Sequence, residues 1–447
     1  MNKTIGFISL GCAKNLTDTE TMLGILSADG FTIVANEEDA DILVVNTCAF
    51  IDSAKEESIN AILDMAEYKK GKCELLIVTG CLAQRYENEI KEQIPEVDII
   101  LGTTAYDRIS QAIKKFYDDK EKISVVLDEN FPVSYELPRI QSTPVYSAYL
   151  KIADGCDNFC TYCIIPKLRG KFRSRPMESI ISEAKKLART GVKELILVAQ
   201  DTACYGKDTG LAGLHILIRE LSKIDGVEWI RLQYCYPENI TDELIEEIRT
   251  NKKVVKYLDM PLQHISDNIL KKMGRRSRQK AVENLIEKLR EKIPDLTIRT
   301  SLIVGFPGET EEDFETLKNF LEKHPIEKVG VFTYSKEENT PAYSYDGQIE
   351  EDVKNERRDI LMTLQQKISS ELNQKRIGTK RSIIIEGYDE EELCYVGRCD
   401  FDTPDVDGLA YVYSEEELFA GDIVSAEIVD CDEYDVVAKV VTSCHNS

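Results

Sequence analysis

The chain has 447 residues, 43% of them hydrophobic, and a formal net charge of −24. A chain of this length is too long to fold around a single hydrophobic core, and its hydrophobic content excludes wholesale disorder. No apolar run reaches the roughly 20 residues that cross a bilayer, and the N-terminal apolar stretch is too short for a secretory signal, so we expect a cytoplasmic protein without membrane contact. In that reducing compartment, metal ligands or buried thiols are expected for the 13 cysteines, rather than disulfides.

Residues 1–118 are predicted to form a doubly wound parallel α/β sheet. Helices are expected between the strands, and the capping-box pattern places their starts near Thr17 and Ser53. Alternating strands and helices favour parallel pairing. Three apolar runs have the length and composition of buried strands: residues 5–10, 41–46 and 74–79.

The rest of the chain predicts a linker and two further domains. Residues 119–143 are charged and then proline-containing, which is typical of a linker. Residues 375–447 carry short strands with glycine and aspartate turns and predict a small β-barrel. Between them, residues 144–374 predict an open, partial TIM-type barrel from six strand–helix units, with strands near 149–153, 194–199, 228–233, 254–258, 296–304 and 328–333.

Three cysteines follow the first barrel strand with gaps of three and two residues: Cys156, Cys160 and Cys163. A structural zinc site needs four ligands, and the nearest histidine, His215, is far away in sequence. An iron–sulfur cluster tolerates three thiolates and leaves its fourth iron open to a small ligand. We therefore interpret CxxxCxxC as an iron–sulfur site.

Three other cysteines each come just after one of the N-terminal strands: Cys12, Cys48 and Cys81. The carboxyl ends of parallel strands share one edge of a sheet, where ligands bind. This placement predicts a second three-thiolate site. The alternative is three unrelated buried thiols, since free cysteine is often buried.

The CxxxCxxC spacing resembles the signature of the radical S-adenosylmethionine (SAM) superfamily. The resemblance implies a [4Fe–4S] cluster whose open iron binds SAM, and a 5′-deoxyadenosyl radical that abstracts hydrogen from an unactivated carbon. The stretch SLIVGFPGE (301–309) is similar to the superfamily's glycine-rich SAM motif, although without the cysteines a tight turn after a strand would be the preferred interpretation. Contacts to SAM are implied for Tyr162, Gln200, Asp201, Gly305 and Pro307.

With both cysteine trios, the whole chain resembles the radical SAM methylthiotransferase family. The resemblance implies an N-terminal methylthiotransferase domain (1–118), a radical SAM barrel (144–374) and a TRAM-like tail (375–447). It also implies a second [4Fe–4S] cluster on Cys12, Cys48 and Cys81, which carries the methylthio sulfur. An electron donor such as flavodoxin or ferredoxin is expected.

The stretches SLGCAKNLTDTE and GCDNFCTYCIIPKLRGKFRSRP look like the ribosomal protein aspartate methylthiotransferase (RimO-type) branch. Thr17 and Thr19 depart from the usual Val and Ser. That branch adds a methylthio group to the β-carbon of an aspartate in the small-subunit ribosomal protein numbered twelve. The alternatives are a tRNA adenosine methylthiotransferase and an iron–sulfur electron-transfer or carrier protein.

Charge favours a basic protein substrate over tRNA. Residues 375–447 contain 18 Asp and Glu against 6 Lys and Arg, a net charge of −12. Such a tail repels phosphate and attracts a lysine- and arginine-rich ribosomal protein. A solvated acidic surface without a partner is the other interpretation.

Five cations stand between residues 167 and 175, at every second position. An extended segment would place them on one face, where they would receive a substrate carboxylate, balance the clusters or pair with barrel acids. His264 is either a polar site residue or a structural histidine. No role is assigned to the remaining cysteines: Cys73, Cys204, Cys235, Cys394, Cys399, Cys431 and Cys444.

Overall fold

The computed structural model describes residues 3–132, 134–210 and 213–441, and begins with a six-stranded parallel sheet of order β2-β1-β3-β4-β5-β6. Neighbouring strands pair in parallel throughout. The strands are β1 Thr4–Ser9, β2 Thr32–Ile33, β3 Ile42–Thr47, β4 Leu75–Gly80, β5 Ile99–Leu101 and β6 Ile123–Val125. The helices are α1 Ala13–Ala28, α2 Asp52–Glu67, α3 Cys81–Arg85, α4 Glu87–Gln93 and α5 Ile109–Asp119.

Helices cover both faces of this sheet, because alternate strand side chains point to opposite sides. In β3, Leu43 and Val45 share a core with Ile62 of α2. Ile42 and Val44 belong to the core on the other face, which includes residues of α1 and α5. The doubly wound parallel sheet is confirmed.

Helix α1 begins five residues earlier than its capping-box pattern indicates, with Cys12 rather than Thr17 at the N-cap position. It starts at Ala13, so Thr17 lies inside the helix. The polar residues that imitate a cap are buried, and Asp18 pairs with Arg169 of the barrel at 2.9 Å. Tertiary contacts, not capping, therefore explain this part of the sequence.

The segment interpreted as a linker contains the last strand of the first sheet. Ile123–Val125 (β6) pairs in parallel with β5. Its three residues are too few for a periodic signal, and its neighbours are charged. Further along, Arg139 donates to Glu20 of α1 at 2.8 Å and to Glu183 of the barrel at 2.5 Å, so this segment joins the two domains. The predicted domain boundaries stay predictions.

The central part of the chain forms a second parallel sheet, of order β14-β13-β12-β11-β10-β7, which is open. Its strands are β7 Ser147–Lys151, β10 Glu194–Val198, β11 Trp229–Leu232, β12 Val254–Asp259, β13 Thr297–Val304 and β14 Lys328–Thr333. The two-residue strands β8 Ala153–Asp154 and β9 Arg173–Ser174 pair separately. The helices are α6 Ile165–Arg169, α7 Met177–Arg189, α8 Leu214–Leu221, α9 Asp242–Thr250, α10 Asp267–Lys272, α11 Gln279–Lys292, α12 Glu311–Lys323 and α13 Glu351–Gln374.

The tail forms a closed five-stranded barrel, as predicted, with neighbours in the order β15-β16-β17-β19-β18. It docks against the central sheet through buried charges: Glu194 at the start of β10 is held by Arg231 at 2.8 Å and by Arg398 of the tail at 2.5 Å. None of the described helices has the length and apolar character needed to span a membrane. The tail strands are β15 Lys380–Asp389, β16 Cys394–Cys399, β17 Ala410–Tyr413, β18 Ile423–Cys431 and β19 Val436–Val440.

Candidate active site

The cysteines of the first domain lie together at the carboxyl edge of its sheet; we call Cys12, Cys48 and Cys81 the first trio. They follow β1, β3 and β4, which are adjacent strands. A Cβ placed on Gly11 would lie 3.1 Å from the Cys48 Sγ, and the Cys81 Sγ lies 3.9 Å from the Asn15 Oδ1. The βα period therefore brings together three thiols that are distant in sequence.

The three thiols differ in how readily they ionise. Burial acts to raise the pKa of Cys12, but Lys14, Arg169 and the backbone N–H groups of the first turn of α1 outweigh it and lower that pKa. Burial raises the pKa of Cys48, and that of Cys81 to about 12. Negative charge at this edge is thus most stable on Cys12.

The second trio, Cys156, Cys160 and Cys163, occupies the loop between β8 and α6. The Cys163 N–H donates to the Cys160 carbonyl at 3.0 Å, and the Arg275 Nη1 lies 4.0 Å from the Cys160 Sγ. Burial raises the pKa of Cys156 to about 11 and that of Cys163 further. The Arg275 guanidinium is the cation that offsets negative charge on this trio.

The described cysteines are all free thiols. Among the described residues, no three His, Cys, Asp or Glu side chains converge closely enough to ligate a single metal ion. A cubane does not require such convergence, because its thiolates bind different irons. The donor chemistry of each trio, three thiols without a fourth cysteine or histidine, fits a [4Fe–4S] cluster.

Beside the second trio, buried polar atoms lack partners within the described part of the chain. The Tyr162 hydroxyl, the Gln200 Oε1 and the Arg275 Nε make no hydrogen bond there. The Gln200 Nε2 donates to the Asp154 Oδ1 at 2.8 Å, which holds that side chain in place. Buried polar groups without partners are rare in proteins, so these atoms fit a polar ligand.

Asp201 has a different environment from Gln200. Its Oδ2 accepts from the Asn239 Nδ2 at 2.7 Å and the Asn158 Nδ2 at 3.1 Å, and its Oδ1 accepts from the Tyr236 N–H at 3.4 Å. Burial raises the pKa of this carboxyl. Chain groups therefore already engage both oxygens, and Asp201 connects the second trio's loop to the segment after β11.

Gly305 and Pro307 are buried in the turn that follows β13. Gly305 has a φ of 73°, and a Cβ there would lie 2.2 Å from the Lys354 Cγ of α13. Its N–H donates to the Glu309 Oε2 at 2.7 Å, and the Glu309 Oε1 accepts from Arg357 of α13 at 2.9 Å. The glycine is therefore required by close packing against α13.

Arg169 connects the two trios. Its Nη2 donates to the Asn15 Oδ1 at 2.5 Å, beside the first trio. Its Nη1 contacts the Asp154 Oδ2 at 3.2 Å, two residues before Cys156. Both trios therefore face the same interdomain junction.

The other predicted polar features are mostly structural. The cations of 167–175 do not share one extended face, because α6 and β9 divide the segment; Arg175, for example, pairs with Glu183. His264 is fully buried, and its Nδ1 accepts the Ser266 N–H at 3.0 Å. Burial lowers the pKa of His264 to about 3, so this imidazole is neutral.

Sequence reasoning does not identify Lys14, Tyr234 and Arg275. The Lys14 Nζ lies 3.5 Å from the centroid of the Tyr234 ring, across the domain junction. The Arg275 guanidinium lies 4.1 Å from the Tyr236 ring centroid. These contacts join residues that are far apart in sequence. The only sequence signal for them was that Lys14 lies within the motif SLGCAKN.

Comparison with known proteins gives family matches over three parts of the chain. They are the uncharacterized protein family UPF0004 over residues 4–102, the radical SAM superfamily over 150–321 and the TRAM domain over 377–441. The solved structure of the radical SAM methyltransferase TsrM from Kitasatospora setae, with cobalamin and a [4Fe–4S] cluster bound, matches with a TM-score of 0.53 at 13% identity. It covers 76% of this chain and 77% of that chain, and at this identity it shows the fold alone.

Curated relatives match nearly the whole chain. The ribosomal protein uS12 methylthiotransferase RimO of Clostridium botulinum is 53% identical over 438 residues, or 98% of both chains. That of Acetivibrio thermocellus is 51% identical over 449 residues, or 99% of both chains. The family resemblance inferred from the motifs is confirmed. The chain belongs to the ribosomal protein uS12 methylthiotransferase family of radical SAM enzymes.

Proposed function

We propose that the protein adds a methylthio group to the β-carbon of an aspartate in ribosomal protein uS12. One observation carries the proposal: two cysteine trios face one domain junction and are joined through Arg169, in a chain 53% identical to a uS12 methylthiotransferase over 98% of its length. A reaction that needs a radical and a sulfur at the same carbon requires two such sites close together.

Two [4Fe–4S] clusters would be held by the first trio and by the second trio. SAM would lie against Tyr162, Gln200, Asp201, Gly305 and Pro307, and the unpartnered atoms of Tyr162 and Gln200 support this location. When bound, these groups supply one-electron cleavage of SAM and the sulfur that is transferred.

The chain itself contributes charge balance and exclusion of water. Arg275 at the second trio, and Lys14 and Arg169 at the first, offset the charge of thiolates. Tyr162 packs against an apolar cluster that includes Phe306, next to Gly305. Such packing keeps water away from a reactive carbon centre.

Charge supports a basic protein as substrate. The tail carries half of the chain's net charge of −24. Its exposed acids would attract uS12 and repel the phosphates of tRNA. A reduced ferredoxin or flavodoxin would supply electrons, and both partners would place the protein in the cytoplasm.

Reconstitution with iron and sulfide tests the two sites. Wild-type protein should bind about eight irons per chain. Cys48→Ala should keep about four, still cleave SAM and lose methylthio transfer to uS12. Cys73→Ala, a buried cysteine of the same domain outside the trio, should keep all of them.

The substrate is tested by mass spectrometry of uS12 and of tRNA from a deletion strain. Loss of the modified aspartate in uS12, with tRNA unchanged, is the expected result. If uS12 still carries the modified aspartate and a tRNA adenosine has lost its modification, the protein acts on tRNA and the proposal is wrong. If the wild-type protein forms no 5′-deoxyadenosine from SAM and dithionite, it is an iron–sulfur carrier and not an enzyme of this kind.

A further inference from the structure

Lys14 is a buried cation that pairs with no carboxylate in the described part of the chain, although its charge also favours a thiolate at Cys12. Its side chain is 7% exposed, and within the described ranges its Nζ makes no hydrogen bond and no ion pair. The neighbouring cations are paired: Arg169 contacts Asp18 and Asp154, and so does Lys151. Lys14 thus differs from the other cations of this junction.

The ammonium lies against an aromatic ring from the central sheet. The Lys14 Nζ lies 3.5 Å from the centroid of Tyr234, which follows β11 of the central sheet. Tyr234 has a φ of 59°, which is rare for a residue with a side chain. Its N–H donates to the Asp259 Oδ2 at 3.0 Å, and its carbonyl accepts from the Thr202 N–H at 2.9 Å. The surroundings hold the ring in place beneath the cation.

Lys14 is placed where it could contact a substrate. It lies in the first turn of α1, two residues after Cys12, and reaches across the junction that both trios face. A buried ammonium without a carboxylate beside it can pair with an anion that enters the junction with a ligand. The proposed substrate side chain is itself an anion.

We propose that Lys14 binds the side-chain carboxylate of the substrate aspartate, with Tyr234 as the ring that positions its ammonium. The proposal rests on the proposed function. The β-carbon is bonded directly to that carboxylate, so an ammonium at the domain junction would hold this carbon between the two trios. Lys14 would therefore select aspartate over its neutral isostere asparagine.

Binding of uS12 to the reconstituted, unreduced enzyme tests this selection. Dissociation constants are measured by fluorescence anisotropy for uS12 and for uS12 with asparagine at the modified aspartate. Wild-type enzyme should prefer the aspartate form by about 10- to 100-fold, the range for a hydrogen bond to a charged group. Lys14→Met should bind both forms alike, Lys14→Arg should restore part of the preference, and Lys367→Met, the same change at an exposed lysine, should behave like wild type.

A second measurement separates substrate binding from support of the first trio. The iron content of the reconstituted enzyme should be the same in Lys14→Met and wild type, because Cys12, Cys48 and Cys81 are all retained. An unchanged preference for aspartate in Lys14→Met would overturn the proposal, and lost iron together with that unchanged preference would assign Lys14 to the trio instead. Failure of wild-type enzyme to bind uS12 at all would contradict the proposed function itself.

Discussion

At the scale of single residues, two buried charges of this protein have opposite surroundings. Glu194 lies between two guanidiniums, Arg231 and Arg398, with every group fully or almost fully buried. Lys14 pairs with no carboxylate in the described structure and lies against the Tyr234 ring. The paired charge of Glu194 joins the tail to the central sheet, whereas we assign Lys14 to an anion that comes from outside.

The Glu194 carboxylate makes docking of the tail sensitive to acid. Burial acts to raise its pKa, but Arg398 and Arg231 outweigh burial and lower it from 4.5 to about 2. A lowered pKa contributes stability above pH 4.5, and this contribution is lost as the pH falls towards 2. The difference corresponds to about 3 kcal/mol in the free energy of unfolding.

Urea unfolding of the cluster-free protein, followed by the fluorescence of Trp229, checks this prediction, because Trp229 packs beside Ile384 of the tail. Glu194→Gln should be less stable than wild type by about 3 kcal/mol at pH 7, and the two should converge near pH 2. Glu228→Gln, which changes an exposed glutamate directly before β11, serves as control. A difference independent of pH would exclude the carboxylate as its cause.

At the scale of elements, α13 shapes the turn that we assign to SAM. Lys354 fills the space beside Gly305, and Arg357 holds Glu309, whose carboxylate accepts the N–H groups of Gly305 and Phe306. The helix lies outside the glycine-rich stretch in sequence. It nevertheless determines the path of the backbone that follows β13.

Arg357→Met should weaken SAM binding without removing iron. Loss of the guanidinium leaves Glu309 buried without its cation, so the turn at Gly305 is expected to shift. We expect the dissociation constant for SAM, measured by equilibrium dialysis on reconstituted enzyme, to rise by about tenfold, equivalent to about 1.4 kcal/mol. Arg358→Met, at the partly exposed neighbouring position, should leave it unchanged. If both variants bound SAM equally well, α13 would not support the SAM site.

At the scale of the whole molecule, the acidic charge is unevenly distributed. Two exposed runs, Glu390–Glu392 and Glu415–Glu417, lie on the tail barrel. Attraction between such a surface and a basic protein accelerates association and is screened by salt. Association with uS12 is therefore expected to depend on ionic strength.

The association rate of uS12, measured by stopped-flow fluorescence, should fall by at least about tenfold between low and high salt. Replacing the six glutamates of both runs by glutamine should remove most of this dependence while leaving dissociation nearly constant. A salt dependence that survives the replacement would place the encounter surface elsewhere on the molecule.

Much of the architecture could be predicted because apolar runs report burial locally. The runs at 41–46 and 74–79 lie within one residue of β3 and β4. Strand β6 was missed, since three residues carry no measurable period. The start of α1 was misplaced because buried polar residues that contact another domain have the same composition as a helix cap.

By itself, the sequence determined the longer strands and predicted which six cysteines lie together, since apolar runs, the succession of strands and helices, and the spacing CxxxCxxC are all properties of the chain itself. Only the tertiary structure decided what lies between the two trios. Arg169 meets Asp18 across 151 positions, and Lys14 meets Tyr234 from another domain. The periodicity of apolar residues indicates that one face of a helix or strand is buried, but not which residues cover it. Polar contacts across a domain junction can therefore be identified only from the tertiary structure.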